Sequence, residues 1–239
     1  MKNSIEIEIP EMGKIKFESL RDTNKKSKNI PIKNSKYIKT ISYNELEKYL
    51  NNEYILSLLK KRNKIRVFES KAINMISRYR YDVFVKYYYV QSYITKTNYK
   101  LAKEIYLEHI KSFNNFAEPD GRKEKPEDFI NNFNKLIKNI QKDGIDKTII
   151  PITKNGEIID GAHRLAIALY FNLKVPFVMF DLLDANYNKQ FFINRGFNEK
   201  YAKIIDKEIV EKNNYNIDLE GIKKWRKKII QKYLWYCVP

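Results

Sequence analysis

Five consecutive residues, Asp160, Gly161, Ala162, His163 and Arg164, set a carboxylate, a glycine, an imidazole and a guanidinium on one turn of chain. His163 is one of only two histidines in 239 residues, so its place between an aspartate and an arginine carries weight. The chemistry open to such a set is the handling of anions. Arg164 and His163 offer donors suited to phosphate oxygens. Gly161 allows close backbone approach and an unusual φ, and Asp160 can orient a hydroxyl or a metal-bound water. The plain alternative is a glycine turn leading into an ordinary amphipathic helix, and an isolated Asp-Gly pair would favour it. The convergence of an aspartate, a histidine and an arginine on one turn favours function.

The flanking sequence says what must position these groups. An apolar run begins at Ile149, Lys154-Asn155-Gly156 forms a polar turn, and residues 157–160 are a second apolar run. Asn-Gly between two such runs is the strongest short-range hairpin signal. Leu165, Ala166, Ala168, Leu169 and Tyr170 then recur at spacings of three and four, which predicts a helix over 162–172. Residues 175–181 read as a strand. The turn therefore falls where a strand ends and a helix begins. The first turn of a helix carries unpaired N–H groups and the positive end of the macrodipole, both favourable to phosphate.

Residues 126–181 resemble the ParB/sulfiredoxin superfamily: a helix closing on a glycine at 140–144, a strand, a short hairpin, a D-G-x-H-R-like turn, a helix rich in Ala and Leu, and a strand. ParB proteins carry a G-E-R-R-like turn, sulfiredoxins a G-C-H-R-like one, and the free-serine kinases of the superfamily a D-G-H-H-R-like one. The D-G-A-H-R of this chain is most similar to the kinases. It lacks the sulfiredoxin cysteine at Ala162 and the paired arginines of ParB, and Ala162 cannot attack anything. The resemblance implies a nucleotide-dependent kinase that transfers a phosphoryl group to a hydroxyl of an amino acid, amino alcohol or sugar. ATP, ADP or CTP would be the donor and Mg2+ the accompanying cation. It assigns nucleotide binding to Gly161, Ala162, His163 and Arg164, and catalysis to Asp160, His163 and a base.

In the family, the segment entering the nucleotide site precedes the first helix, and in the serine kinases a Glu on it is the base. That segment corresponds to 113–129 here, so Glu118 is the first candidate and Asp120 the second. The alternative for both is a solvated acidic turn. Chains similar to this one, with an F-N-x-F-x-E…G-x-K segment ahead of D-G-A-H-R, accompany surface-polysaccharide genes, which implies a sugar or sugar-linked acceptor. A second outcome of the resemblance is a ParB-like nucleotide-dependent DNA-binding protein or nuclease, although no clear helix-turn-helix follows the core. A third is a nucleotide-binding scaffold without catalysis.

Composition sets the outer bounds. Apolar residues make up 43% of the chain, enough for a real core, and the net charge of +17 favours polyanionic partners. Because the lysines are spread along the whole length, nucleic-acid binding is expected to be non-specific and salt-dependent at most. Cys237 is the single cysteine, so no internal disulfide can form. The chain has no cluster of Cys and His for structural zinc. It has no apolar run near the ~18 residues of a membrane span, and its acidic, alternating N-terminus is unlike a signal peptide. These features lead to the expectation of a soluble cytoplasmic protein, with the oligomeric state open.

The remaining elements follow from periodicity. Residues 4–10 and 13–19 read as a hairpin, 21–34 as a loop, 43–62 as a helix capped by Ser42, and 64–69 as a strand. Ser70 is placed as the cap of a long aromatic-rich segment reaching residue 93. Interleaved Tyr and basic residues can stack on single-stranded nucleic acid, but aromatics at helical spacing are more often core, and the core reading is preferred. Arg78, Arg80 and Lys86 stand there as anion contacts with no constellation to support them. A helix over 98–113 carries His109 on its apolar face, the usual place of a satisfied core or rim histidine. Pro119-Asp120-Gly121 reads as a turn, and Pro126 with Glu127 and Asp128 as a helix start. Residues 186–195, 199–212 and 218–236 read as helices separated by Gly196 and Asn213-Asn214. The last is basic and amphipathic, and packing is its commoner fate than a membrane or nucleic-acid surface. The expected fold is α/β (α+β): a small mixed sheet with helices over 113–183, flanked by a hairpin and helical region at 1–112 and a helical region at 184–239.

Overall fold

The computed structural model describes residues 4–9, 13–18, 32–50, 56, 63–77, 79–118, 123–145, 148–182 and 184–215, with the backbone alone at 4–9, 13–18 and 208–215. The chain divides into two compact units, 1–198 and 199–239. Near the start, β1 (Ser4–Ile9) and β2 (Gly13–Glu18) pair antiparallel with Ile7 opposite Ile15, as the alternating sequence implies.

β3 (Lys36–Ile41) has no counterpart among the expected elements. It is an edge strand in which only Ile41 is buried, while Tyr37 and Ile38 are exposed, so no alternating pattern announces it. α1 (Tyr43–Glu47) starts where expected, with the Ser42 hydroxyl accepting from the Glu45 N–H at 3.1 Å. It ends at Glu47 and residues 48–50 are not helical, so the expected helix over 43–62 is interrupted there; Leu56 is helical, and the rest of 51–62 lies outside the described residues. β4 (Ile65–Lys71) contains Ser70, whose hydroxyl donates to the Lys33 carbonyl at 2.8 Å. Ser70 is thus part of a strand and caps no helix. A 3-10 turn at Ala72–Met75 follows, and α2 (Tyr81–Thr95) begins only after Arg80.

The aromatic stripe of α2 is core. Tyr81, Phe84, Tyr87, Tyr88 and Tyr89 are all buried, which leaves no face for stacked bases. α3 (Tyr99–Asn114) packs against α2. α4 (Pro126–Asp143) opens on its proline, with the Asp128 carboxylate accepting from the Lys125 N–H at 3.1 Å, and closes at Gly144, where φ is +78°.

The site is carried by the next three elements: β5 (Ile150–Thr153), α5 (Ala162–Tyr170) and β6 (Lys174–Phe180). β5 and β6 are parallel, with Ile150 opposite Phe177, and parallel neighbours need a crossover, which α5 supplies. The sheet order is β3-β4-β6-β5, with the other two pairings antiparallel. Two of its four strands come from residues 1–112 and two from 113–183, so the sheet spans both segments. The second run of the expected Asn155-Gly156 hairpin does not become a strand. One bridge, Ile152 to Ile158, and the Gly156 N–H on the Thr153 carbonyl close the turn before the chain leaves for α5.

Apolar clusters cover both faces of the sheet, and the strands divide their side chains between them by alternation. Phe68 and Phe177 join α2, α3, α4 and α5 in the larger cluster, while Val67 and Val178 join Tyr43, Leu46 and Leu50 in the smaller. Burying a Phe such as Phe177 contributes roughly 1.5–3 kcal/mol. α6 (Lys189–Ile193) is shorter than the expected 186–195 and starts from Asn188, whose side chain accepts from the Phe191 N–H at 2.9 Å. In the second unit α7 (Glu199–Tyr215) continues through Asn213-Asn214 rather than breaking there. The expectations for Arg78, Pro119-Asp120-Gly121, Cys237 and the helix at 218–236 fall outside the described residues. The described part is a mixed α/β protein with seven α-helices among those residues.

Candidate functional site

Two independent constraints hold the turn before α5. Gly161 has φ +95°, and a Cβ there would lie 3.2 Å from Ile150 Cγ1 and 3.4 Å from Nε and Nη2 of Arg164. Only glycine meets both without strain. The first intrahelical bond runs from the Leu165 N–H to the Gly161 carbonyl at 2.8 Å, and no side chain caps the helix. The N–H groups of Ala162, His163 and Arg164 are therefore left without intrahelical acceptors at the positive end of the dipole.

Arg164 folds back over this turn. Its Nη2 donates to Asp160 Oδ2 at 3.0 Å, and its Nη1 reaches the Tyr49 carbonyl at 3.4 Å. His163 turns inward. Its Nε2 meets the Tyr106 hydroxyl at 2.9 Å, and its ring stands edge-on to Phe133 with centroids 4.6 Å apart. Burial, and then the charges of Lys86 and Lys123, push its pKa well below 6.5, so His163 is neutral at pH 7. Burial, and then Glu118, push the Tyr106 hydroxyl well up, so it stays protonated.

Glu118 accepts from Lys123 Nζ at 2.7 Å, with about a quarter of each side chain exposed (24% and 24%). Its charge acts on Tyr106, and that of Lys123 acts on His163, so Glu118, Lys123, Tyr106 and His163 form one electrostatic group. The structure thus pairs Asp160 with Arg164 and Glu118 with Lys123, and sets His163 on Tyr106. Asp120 lies outside the described residues.

Sequence reasoning missed the interior behind this turn. Arg80 and Lys86, read there without a constellation, share the carboxylate of Asp82. Arg80 grips it with Nε and Nη2, each at 2.9 Å, and Lys86 Nζ lies at 3.0 Å. Burial alone would raise Asp82, but the two cations hold it well below the usual carboxylate range. The Asp82–Lys86 spacing of four was a usable signal. The expectation of a satisfied His109 also needs correction: it is buried, but among the described residues neither ring nitrogen has a hydrogen-bond partner. Ring packing on Phe192, at 4.6 Å, is what holds it.

No protein-family model, no curated protein and no solved structure matches this chain. Fold and site define an α/β protein whose sheet and crossover helix present an uncapped, glycine-led helix start with ionisable groups around it. Among the described residues no helix is long and apolar enough to cross a membrane.

Proposed function

We propose that the chain is a nucleotide-dependent phosphotransferase acting on the hydroxyl of a small molecule, with ATP, ADP or CTP as donor. The observation that carries this reading is the uncapped first turn of α5, led by Gly161 and bearing His163 and Arg164. Such a turn suits the phosphates of a nucleotide, through backbone N–H groups and the Arg164 guanidinium. Glu118 is the group suited to take the acceptor's proton, since its carboxylate is partly exposed and electrostatically linked to Tyr106. Asp160, whose side chain is about a third exposed (32%) beside the turn, would orient the acceptor.

No group of three or more His, Cys, Asp or Glu side chains that could hold a metal occurs among the described residues. Mg2+ in phosphoryl transfer needs only one or two carboxylates besides phosphate and water oxygens. Asp160, partly exposed beside the turn, fits that requirement and would hold it. There the cation would neutralise phosphate charge. A sugar or sugar-linked acceptor of surface-polysaccharide synthesis, and a cytoplasmic setting, belong to the same proposal.

The test is a calorimetric titration of ATP, ADP and CTP with Mg2+, followed by phosphate transfer to a panel of hydroxyl acceptors. Glu118→Gln keeps the size of the side chain, so turnover should fall by ~10²–10⁴-fold while nucleotide affinity stays nearly intact. Full turnover in that variant would remove Glu118 as the base. The net charge of +17 favours the ParB-like DNA-binding reading as second choice. Sequence-selective DNA binding that survives physiological salt would promote it.

A further inference from the structure

Three charged groups lie in the interior behind the first turn of α5, and the phosphotransferase reading leaves them unused. Arg80, Asp82 and Lys86 are each about 5% exposed or less. Arg80 is held through all three of its guanidinium nitrogens. Besides its two bonds to Asp82, its Nη1 donates to the Ile158 carbonyl, its guanidinium lies 4.9 Å from the Tyr187 ring centroid, and the buried Glu157 adds a further favourable charge. It ties the start of α2 to the turn after β5, and these bonds fix its guanidinium in place.

Lys86 is different. An ammonium has three donors, and among the described residues Lys86 makes one hydrogen bond, to a carboxylate that Arg80 already holds with two. Lys123 has Glu118 and Arg164 has Asp160, so Lys86 is the cation of this region least served by a counter-ion. On α3, which packs against α2, His109, 1% exposed, leaves both ring nitrogens without a partner among the described residues, and among the charges around His109 that of Lys86 acts most strongly. Donors to spare next to an idle imidazole are unfavourable in a dry interior. Such an arrangement is expected where polar groups are kept for a ligand.

The direction in which Lys86 can act is fixed by its neighbours. α2 packs extensively on α5, Lys86 is the first charge acting on His163, and Asp160 acts in turn on Lys86. The Asp82 cluster that holds the ammonium is itself tied by Arg80 to the Ile158 carbonyl, two residues ahead of Asp160. A four-carbon stem lets it change partners by side-chain rotation alone.

We propose that Lys86 is a third cationic arm of the α5 site, turning from Asp82 to a phosphate oxygen held at the first turn of the helix. This rests on reading that turn as a phosphate site. The ligand class is a phosphate or pyrophosphate group, whichever nucleotide or sugar carries it. Asp82 keeps its bidentate Arg80 when Lys86 leaves, so the move strands no carboxylate.

The probe is inorganic pyrophosphate, titrated beside ATP into the full chain and its variants. Lys86→Gln keeps a donor for Asp82 and removes the charge, and it should bind pyrophosphate roughly ten- to a hundredfold more weakly. Lys86→Arg, which restores the charge, should recover part of the loss. Equal pyrophosphate affinity in all three proteins overturns the proposal, and so does a wild type that binds neither probe. Binding of pyrophosphate that depends on Lys86, without binding of ATP, would sink the nucleotide reading and keep Lys86. ATP binding that depends on Arg164 but not on Lys86 would do the reverse. Should Lys86→Gln fail to fold, the buried ammonium resonance of the wild type, assigned by its loss in Lys86→Arg, decides: it shifts on adding pyrophosphate, and a static signal overturns the proposal.

Discussion

Asp160 and Arg164 meet at 3.0 Å with 32% and 18% of their side chains exposed, whereas Arg80, Asp82 and Lys86 meet at 2.9–3.0 Å with no more than 7% exposed. The chemistry of the contacts is the same and the surroundings are not. At the turn, water screens the pair, so the i,i+4 bridge contributes little to stability and either partner can exchange the other for a ligand. In the interior, desolvation makes Asp82 dependent on its cations: it must keep Arg80, which holds it through two bonds, and Lys86 can leave it only for another anion. What an ion pair can exchange, and for what, is thus set by solvent, not by distance.

The sharpest way to break this comparison is Asp82→Ala. It leaves two buried cations without their shared carboxylate and should cost ~3–5 kcal/mol, read from urea denaturation at pH 7. A loss below ~1 kcal/mol, the range of exposed pairs, would show that water reaches the cluster and that the contrast is false.

Arg164→Ala sharpens the other side. Its nucleotide affinity should fall by ~1.5–3 kcal/mol, the range for a charge-assisted bond, in a calorimetric titration. Its stability should change by less than ~1 kcal/mol. A variant that unfolds with affinity intact would reverse the two roles.

The smallest effect concerns the two histidines. Burial is the first cause that pushes both His163 and His109 well below 6.5. A group depressed in the fold binds its proton more readily when unfolded, so its contribution is complete above pH 6.5 and drains as pH falls below it. Between pH 7 and 6 each should cost about 0.7 kcal/mol, seen as a drop in melting temperature. His109→Phe suits the surrounding Phe113, Phe192 and Phe197 rings and breaks no hydrogen bond among the described residues, so it should halve that drop. A melting temperature flat from pH 7 to 5 would mean that both rings titrate normally.

How far local sequence reached can be followed element by element. Pro126 with Asp128, Asn155-Gly156 and Gly161 marked the start of α4, the turn after β5 and the start of α5, because each signal acts on its own few backbone bonds. β3 escaped because an edge strand buries one residue in six and leaves no period to read. Ser70 misled because a serine hydroxyl serves as well on a distant carbonyl, Lys33, as on a helix start.

The sequence by itself determined the strand-to-helix turn, its glycine and the side chains it carries, since all of these depend on neighbours a few residues apart. Only the tertiary structure decided that His163 is neutral against Tyr106 and Phe133, that Glu118 pairs with Lys123, and that Arg80, Asp82 and Lys86 form one buried unit. Protonation and ion pairing are set by the desolvation and charge that other elements bring, and for His163 those come from α2, α3 and α4, at least twenty residues away in the chain.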